Sequence, residues 1–306
     1  MRKKIKSPAI SVVMPVFNME NYISEAMESI INQTFVDFEF IIIDDASTDN
    51  TKNIIDSYKD SRILRINNNI KKGNHISRNL ALEICKGKYV CMMDADDISC
   101  LDRLEKQYVF MENNLKYAVA GTDIHIIFEN NFQTTFQYLR DEREVKVHLL
   151  QDNVCSHPSL ILRKDFLHKY NIKYDEEYYY SADYNLLLDI SKVGNITNIP
   201  EFLLFYRKHP EQISSKKLNY QKMYRNQIQL KQLSNFKVRP SIDEFSVHQH
   251  LMNELPLSKR QLDIAERWCN KLLTKNHKLK IYDQDYLYIF LRECLLKTIH
   301  IAQYIT

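Results

Sequence analysis

Tyr89-Val-Cys-Met-Met-Asp-Ala-Asp-Asp97 is an apolar run that breaks abruptly into three carboxylates within four positions. A short, wholly apolar run reads as a strand buried on both faces, and the change to acids marks where it leaves the core. The same transition occurs upstream, where Phe38-Glu-Phe-Ile-Ile-Ile-Asp44 runs into Asp45-Ala-Ser-Thr-Asp49, and Ile10-Ser-Val-Val-Met-Pro-Val16 is a third run of this kind. Ile63–Ile66 adds a fourth strand. Segments with helical spacing lie between and after them, over 20–33, 49–58, 74–86 and 101–114. Strands alternating with helices predict a parallel sheet with right-handed crossovers. In such a sheet ligands bind beyond the carboxyl ends of the strands, where the acids are.

Past residue 115 the pattern is mixed: short strands near 117–128 and 132–138, a helix near 141–151, a strand at 159–162, a helix at 182–192 and a strand at 202–206. After 215 only helical stretches remain, near 216–235, 243–254, 258–274 and 284–303, punctuated by Pro240 and Pro256. The chain therefore reads as an α/β domain over residues 1–214, with halves 8–97 and 98–214, followed by an all-helical region over 215–306. At 306 residues it can bury a core without staples.

Composition removes several classes. Only four glycines are present, at 73, 87, 121 and 194, so neither a G-x-G-x-x-G fingerprint nor a Walker loop can be written. The six cysteines form no C-x-x-C pair, as expected for reduced thiols in the cytoplasm. No run reaches the ~18 apolar residues of a membrane span. The basic start is not expected to act as a signal peptide, because Pro15 and Asn18 break its apolar segment. Charge is uneven: residues 201–306 carry 18 Lys and Arg against 10 Asp and Glu. Lys216, Lys217, Lys222, Arg225 and Lys231 could meet an anionic membrane surface, or simply form solvated helix faces.

Asp94, Asp96 and Asp97 repel one another and need a cation. Hard oxygen ligands of this kind suit Mg²⁺ or Mn²⁺ bound together with a phosphate-bearing substrate. A solvated acidic turn is the plain alternative.

The motifs together resemble glycosyltransferase family 2. Ile10 to Asn18, Gln33-Thr-Phe, Ile43-Asp-Asp-Ala-Ser-Thr-Asp-Asn-Thr51, Gly73 with Ser77-Arg78-Asn79, and Gly87 to Asp97 follow the family's order. So do His157-Pro-Ser-Leu-Ile-Leu-Arg163, Ala182-Asp183-Tyr184 and Tyr206-Arg-Lys-His209-Pro-Glu-Gln-Ile-Ser214, as in bacterial lipooligosaccharide and O-antigen β-1,3-N-acetylglucosaminyl- or galactosyltransferases. The resemblance spans residues 8–215 and implies the GT-A fold. It implies a nucleotide-sugar site at Pro15, Val16, Asn18, Asp44, Asp45, Arg78, Asn79, Asp94, Ala95 and Asp96, with Asp45 on the uracil ring and a metal at Asp96 and Asp97. Acceptor or lid positions are His157, Tyr180, Ala182, Arg207 and His209. Ala46 stands where relatives usually have Gly, and Ala182 where they commonly have Glu, a gap that Asp175, Glu176 or Glu177 could fill.

Asp183 matches the general base of the inverting members, which takes the proton of an acceptor hydroxyl during attack. Its position also suits the N-cap of a helix over 184–192. The implied reaction moves a sugar from UDP-GlcNAc or UDP-galactose to a lipid-linked glycan. A nucleotidyltransferase would need a basic phosphate-gripping loop that Pro15-Val-Phe-Asn18 does not provide. An inert nucleotide-sugar or glycan-binding module has only Ala182 in its favour. A nucleic-acid partner would leave the acids unexplained.

Overall fold

The computed structural model describes residues 7–128, 132–212 and 216–305. The basic residues 1–6 and the motif positions 213–214 lie outside that range. Two compact units are present: Met1–Arg140 with Cys155–Lys217, and Asp141–Val154 with Leu218–Thr306.

The first unit is built on a nine-stranded sheet. β1 (Ile10–Val16) lies between β2 (Phe38–Asp44) and β4 (Tyr89–Met92), with β3 (Ile63–Asn67) outside β2, all parallel. Their registers align Val16 with Asp44 and Val13 with Met92, so both acidic exits open at one edge. β1 is buried along its whole length, as its apolar sequence requires. α1 (Ile23–Ile31) presents Ile23, Ala26, Met27 and Ile30 to the core, the i, i+3, i+4, i+7 spacing of an amphipathic helix. α2 (Thr51–Ser57), α3 (Asn74–Ile84) and α4 (Arg103–Asn113) complete this half, with a two-residue β5 (Ile98–Ser99) after the second acidic exit. Gly87 sits where a side chain would collide with the Ser11 main chain, 2.4 Å from its nitrogen.

Beyond β4 the sheet becomes mixed. β8 (Ile161–Arg163) pairs antiparallel with β4 and with β6 (Tyr117–Phe128), which also carries β7 (Gln133–Phe136). β9 (Asn195–Lys208) runs parallel to β6 and closes on β5. The sequence shows only 202–206 of that strand, because Pro200 and polar residues interrupt its apolar pattern. α6 (Lys164–Tyr170), which no sequence pattern announces, precedes α7 (Ala182–Ser191).

The second unit contains α5 (Glu142–His148), α8 (Leu218–Asn235), α9 (Ile242–Met252), α10 (Lys259–Leu279) and α11 (Gln284–Ile305). Here the structure differs from the sequence-based division at residue 214, because Asp141–Val154 joins the C-terminal helices. Val147 and Leu150 pack in one core with Leu233, Phe236, Leu251, Trp268 and Leu291. Ser241 with Glu244 and Ser258 with Gln261 form capping boxes that start α9 and α10. The expected basic stripe is partly neutralised: Arg225 pairs with Asp152, and, in the first unit, Lys216 with Glu211. No helix among the described residues is long and apolar enough to cross a membrane. None of the six cysteines is in a disulfide.

Candidate active site

Main-chain bonds hold the ends of β1 and β2 together, the Asp45 N–H donating to the Val16 carbonyl at 2.8 Å. Pro15 and Val16 lie inside β1 and are buried, so their side chains belong to the core. Asn18 adopts φ 52°, which Asn tolerates. Its amide joins the two turns, accepting from Thr48 N–H at 2.8 Å and donating to the Thr48 hydroxyl at 3.2 Å. Asp44 accepts from Ser47 N–H at 3.1 Å.

Asp45 is fully buried, and donors surround its carboxylate: Asn68 Nδ2 at 2.8 Å, Lys72 N–H at 2.9 Å and Gly73 N–H at 2.7 Å. Gly73 has φ 103°, a backbone that disfavours any side chain, and this conformation brings its N–H onto Asp45. Asp45 thus shapes the loop before α3. One neighbour carries no motif signal. Lys71 places Nζ 3.3 Å from the centre of the Phe17 ring, and burial pulls its ammonium below the ordinary lysine range.

At the second exit, carboxylate oxygens of Asp94, Asp96 and Asp97 lie within 4.8 Å of one another. Asp97 is buried: Oδ1 accepts from Arg207 N–H at 2.9 Å, while Oδ2 has no hydrogen-bond partner. Burial, with the two flanking acids, pushes its carboxyl well above the usual range. An orphaned buried oxygen among three clustered carboxylates suits a hard divalent cation such as Mg²⁺ or Mn²⁺. Ala95, between them, packs into the core.

Arg78, on α3, donates to Asp94 at 2.6 Å. Asp183 is half-buried and close enough to Asp94, Arg78 and Tyr174 to act electrostatically on all three. It is the second residue of α7, whose N-cap is Ser181. The capping role expected for Asp183 is therefore corrected: Ser181, at φ −145°, is the last non-helical residue, and Asp183 lies in the first turn, where the helix dipole favours an anion.

Tyr174 lies outside every motif. It is fully buried, and its hydroxyl is 2.8 Å from His157 Nε2. Burial drives His157 well below the ordinary histidine range, so the imidazole is neutral, and its Nδ1 has no partner. Asn79 spends its side-chain amide on Tyr174, donating to its carbonyl at 2.8 Å and accepting from its N–H at 2.9 Å. Asn79 and His157 therefore hold Tyr174 in place behind the Arg78–Asp94–Asp183 cluster. Only its place between these two residues marks Tyr174 as part of the site.

The end of β9 covers the acids. His209 Nε2 is 3.0 Å from Asp96 Oδ2, and its ring lies 4.6 Å from that of Tyr22. Gln212 reaches the same oxygen at 3.4 Å. Arg207 donates Nε to the Asp96 carbonyl at 2.9 Å and pairs with Glu25 at 2.5 Å. In the tyrosine run, Tyr179 turns to α3, its ring 4.5 Å from His75, and Tyr180 packs against Tyr179. Ala182 is buried, while Asp175 caps a short turn through Glu177 N–H at 3.0 Å. Gln33, from the Gln33-Thr-Phe motif, is structural: it binds the carbonyls of Ser29 and Cys100 and the N–H of Leu104.

Comparison with known proteins places the chain in a family and its fold in a class. The profile of glycosyl transferase family 2 matches residues 11–170. An uncharacterised glycosyltransferase of Methanocaldococcus jannaschii is 36% identical over 228 residues, 72% of this chain and 78% of the relative. The Escherichia coli UDP-Glc:alpha-D-GlcNAc-diphosphoundecaprenol beta-1,3-glucosyltransferase WfgD is 29% identical over 211 residues, covering 68% of this chain and 80% of that enzyme. Among solved structures, S. aureus TarS 1–349 in complex with UDP-GlcNAc superposes with a TM-score of 0.61 at 17% identity, over 96% of this chain and 89% of that one. The fold is GT-A with a helical C-terminal region, and the chain belongs to glycosyl transferase family 2, as a glycosyltransferase.

Proposed function

We propose that this glycosyltransferase moves a hexose or N-acetylhexosamine from a UDP-sugar to a hydroxyl of a lipid-linked glycan, forming a β-1,3 link with inversion. The observation that carries this reading is the gathering of Asp183, Arg78 and Asp94 beside a second pair of acids at the strand exits. The UDP-Glc donor and diphosphoundecaprenol-linked acceptor in the name of the E. coli relative support the substrate classes, as does the UDP-GlcNAc bound to TarS. UDP-GlcNAc, UDP-galactose and UDP-glucose are the donors to distinguish.

In this reading Asp183 is the general base. An acceptor hydroxyl is a poor nucleophile at neutral pH, and the carboxylate takes its proton as the oxygen attacks the anomeric carbon. Attack from the face opposite the diphosphate breaks the bond from sugar to UDP, and the electron pair leaves with UDP. An α-linked donor then gives a β product. Arg78, bound to Asp94 and near Asp183, sets a positive charge beside both carboxylates and orients the acid turn. Asp94, Asp96 and Asp97 would hold the divalent cation, with His209 beside Asp96, and the ion would neutralise charge on the leaving diphosphate.

The test measures UDP release from UDP-GlcNAc, UDP-galactose, UDP-GalNAc and UDP-glucose, each with Mn²⁺, Mg²⁺ or EDTA, on diphospholipid-linked GlcNAc and simple glycoside acceptors. One donor should support release in metal and not in EDTA. Asp183→Asn should reduce kcat by about 10²–10⁴-fold, the usual share of a general base, while still binding UDP. Equal turnover in Asp183→Asn and wild type would remove Asp183 from the reaction.

A further inference from the structure

Arg103 opens α4 and is fully buried, yet among the described residues it makes no ion pair. Each of its three nitrogens donates to a neutral atom: Nη2 to the Met92 carbonyl at 2.8 Å, Nη1 to Met93 Sδ at 3.5 Å, and Nε to Gln107 Oε1 at 3.1 Å. Gln107 is itself anchored, donating to the Ser159 carbonyl at 2.7 Å. A buried guanidinium without a carboxylate partner is costly, so a compensating charge is to be sought nearby. Met92 and Met93 immediately precede Asp94. The guanidinium is therefore fastened to the main chain that carries the three acids, on the buried side of their turn. Asp97 and Asp94 are among the charges that act on it, and it acts in return on Asp97. Arg78 meets Asp94 directly, at a carboxylate oxygen, whereas Arg103 holds the strand beneath.

We infer that Arg103 is a positioning residue whose buried charge stands in for the divalent cation, holding the acidic turn together when no ion is bound. The inference rests on the reading that Asp94, Asp96 and Asp97 hold the metal. It gives Arg103 two opposed effects. Its charge lowers the repulsion among the acids in the metal-free protein, and the same charge weakens cation binding by Coulomb repulsion. Evolution toward tighter metal binding alone would not place a cation there; stability of the empty turn would.

The experiment titrates Mn²⁺ alone, with no nucleotide, into wild type, Arg103→Lys, Arg103→Met and Arg103→Gln, following the Mn²⁺ resonance, and measures thermal unfolding with and without the ion. The neutral variants should unfold at lower temperature without metal, bind Mn²⁺ about tenfold tighter than wild type, and gain a larger thermal shift from it. Arg103→Lys, which keeps charge but loses the planar contacts, should bind Mn²⁺ within about twofold of wild type. A residue that merely packs would show the opposite pattern, Lys and Met weakening Mn²⁺ binding alike, and that outcome overturns the inference. Should the neutral variants fail to fold, refolding them in Mn²⁺ decides: rescue by the ion supports an interchangeable counter-charge, and no rescue rejects it. Absence of Mn²⁺ binding in wild type would instead remove the metal reading on which the inference stands.

Discussion

The two acidic strand exits look alike in sequence and are hydrogen-bonded in opposite ways. Asp45 and Asp97 are both buried, both a short step beyond a strand of the same sheet, and both flanked by other acids. Asp45 has both oxygens occupied by donors from Asn68, Lys72 and Gly73. Asp97 has one donor, Arg207 N–H, and one bare oxygen. A satisfied buried carboxylate is a structural part, fixing a loop; an unsatisfied one next to two more carboxylates is poised for a cation. Charge count alone does not separate the two; the count of donors does.

Exchanging carboxylate for amide at each exit breaks or sharpens this contrast. Asp97→Asn keeps an acceptor for Arg207 N–H and removes a charge pressed by its neighbours. Outer-shell changes alone cost about 10–100-fold in metal affinity, so loss of a direct ligand should cost at least about 100-fold in Mn²⁺ binding. Its metal-free melting temperature should stay level or rise. Asp45→Asn should do the reverse. One amide NH₂ would face a main-chain N–H in a buried place, costing about 2–3 kcal/mol in urea unfolding, with Mn²⁺ affinity unchanged. If both variants lost metal binding alike, the two turns would not be distinct.

The same accounting of partners reaches the helical unit through His248. Like His157 it is buried and carries one nitrogen without a partner; the other accepts from Trp268 Nε1 at 3.2 Å. Burial pushes its imidazole down to about 4. The unfolded chain takes up this proton below about pH 6.5, and the folded protein resists until about pH 4, so stability falls as pH drops through that window. Between pH 7 and pH 5 His248 should account for a loss of about 2 kcal/mol. Trp268, the single tryptophan, reports it by fluorescence in urea. His248→Gln, which retains an acceptor for the indole, should abolish that part of the pH dependence. An unchanged slope in the variant would assign the acid sensitivity to other groups.

How much of this was legible in the sequence depended on range. The four parallel strands and the two acidic exits carry their signal within a few residues, as apolar runs and abrupt polarity changes, whereas Asp183 was singled out only through the resemblance to a family. Asn79 shows why neighbours in a motif need not act together. One residue after Arg78, it points its amide at Tyr174, 95 positions away in the chain. Arg103 owes its role to burial against the Met92 carbonyl, and Tyr174 to the side chains of Asn79 and His157, which no local pattern encodes. The segment Asp141–Val154 reads as a helix, but its partners are Leu233 to Leu295, so only the folded chain reveals which core it joins. Polarity change finds a strand end; it does not say how many donors wait there.

The smallest effect tests the strained link between the two uses. Ala46 follows Asp45 directly and adopts φ 65°, the left-handed region where a β-carbon crowds the carbonyl. Strain of this kind costs about 1 kcal/mol, and Ala46→Gly should recover about that much, less the backbone entropy that glycine adds to the unfolded chain. The measured gain should thus be at most about 0.5 kcal/mol in urea unfolding. Its value lies in what accompanies it. The Asp44–Ser47 bond and the bonds from Asn18 to Ser47 and Thr48 span this residue, so they already hold the turn in the left-handed form. Stability should rise with no change in KM for the donor if those bonds fix the turn. A raised KM in Ala46→Gly would mean that the methyl group itself stiffens the nucleotide side, and that Asp45's donors do not suffice to define it.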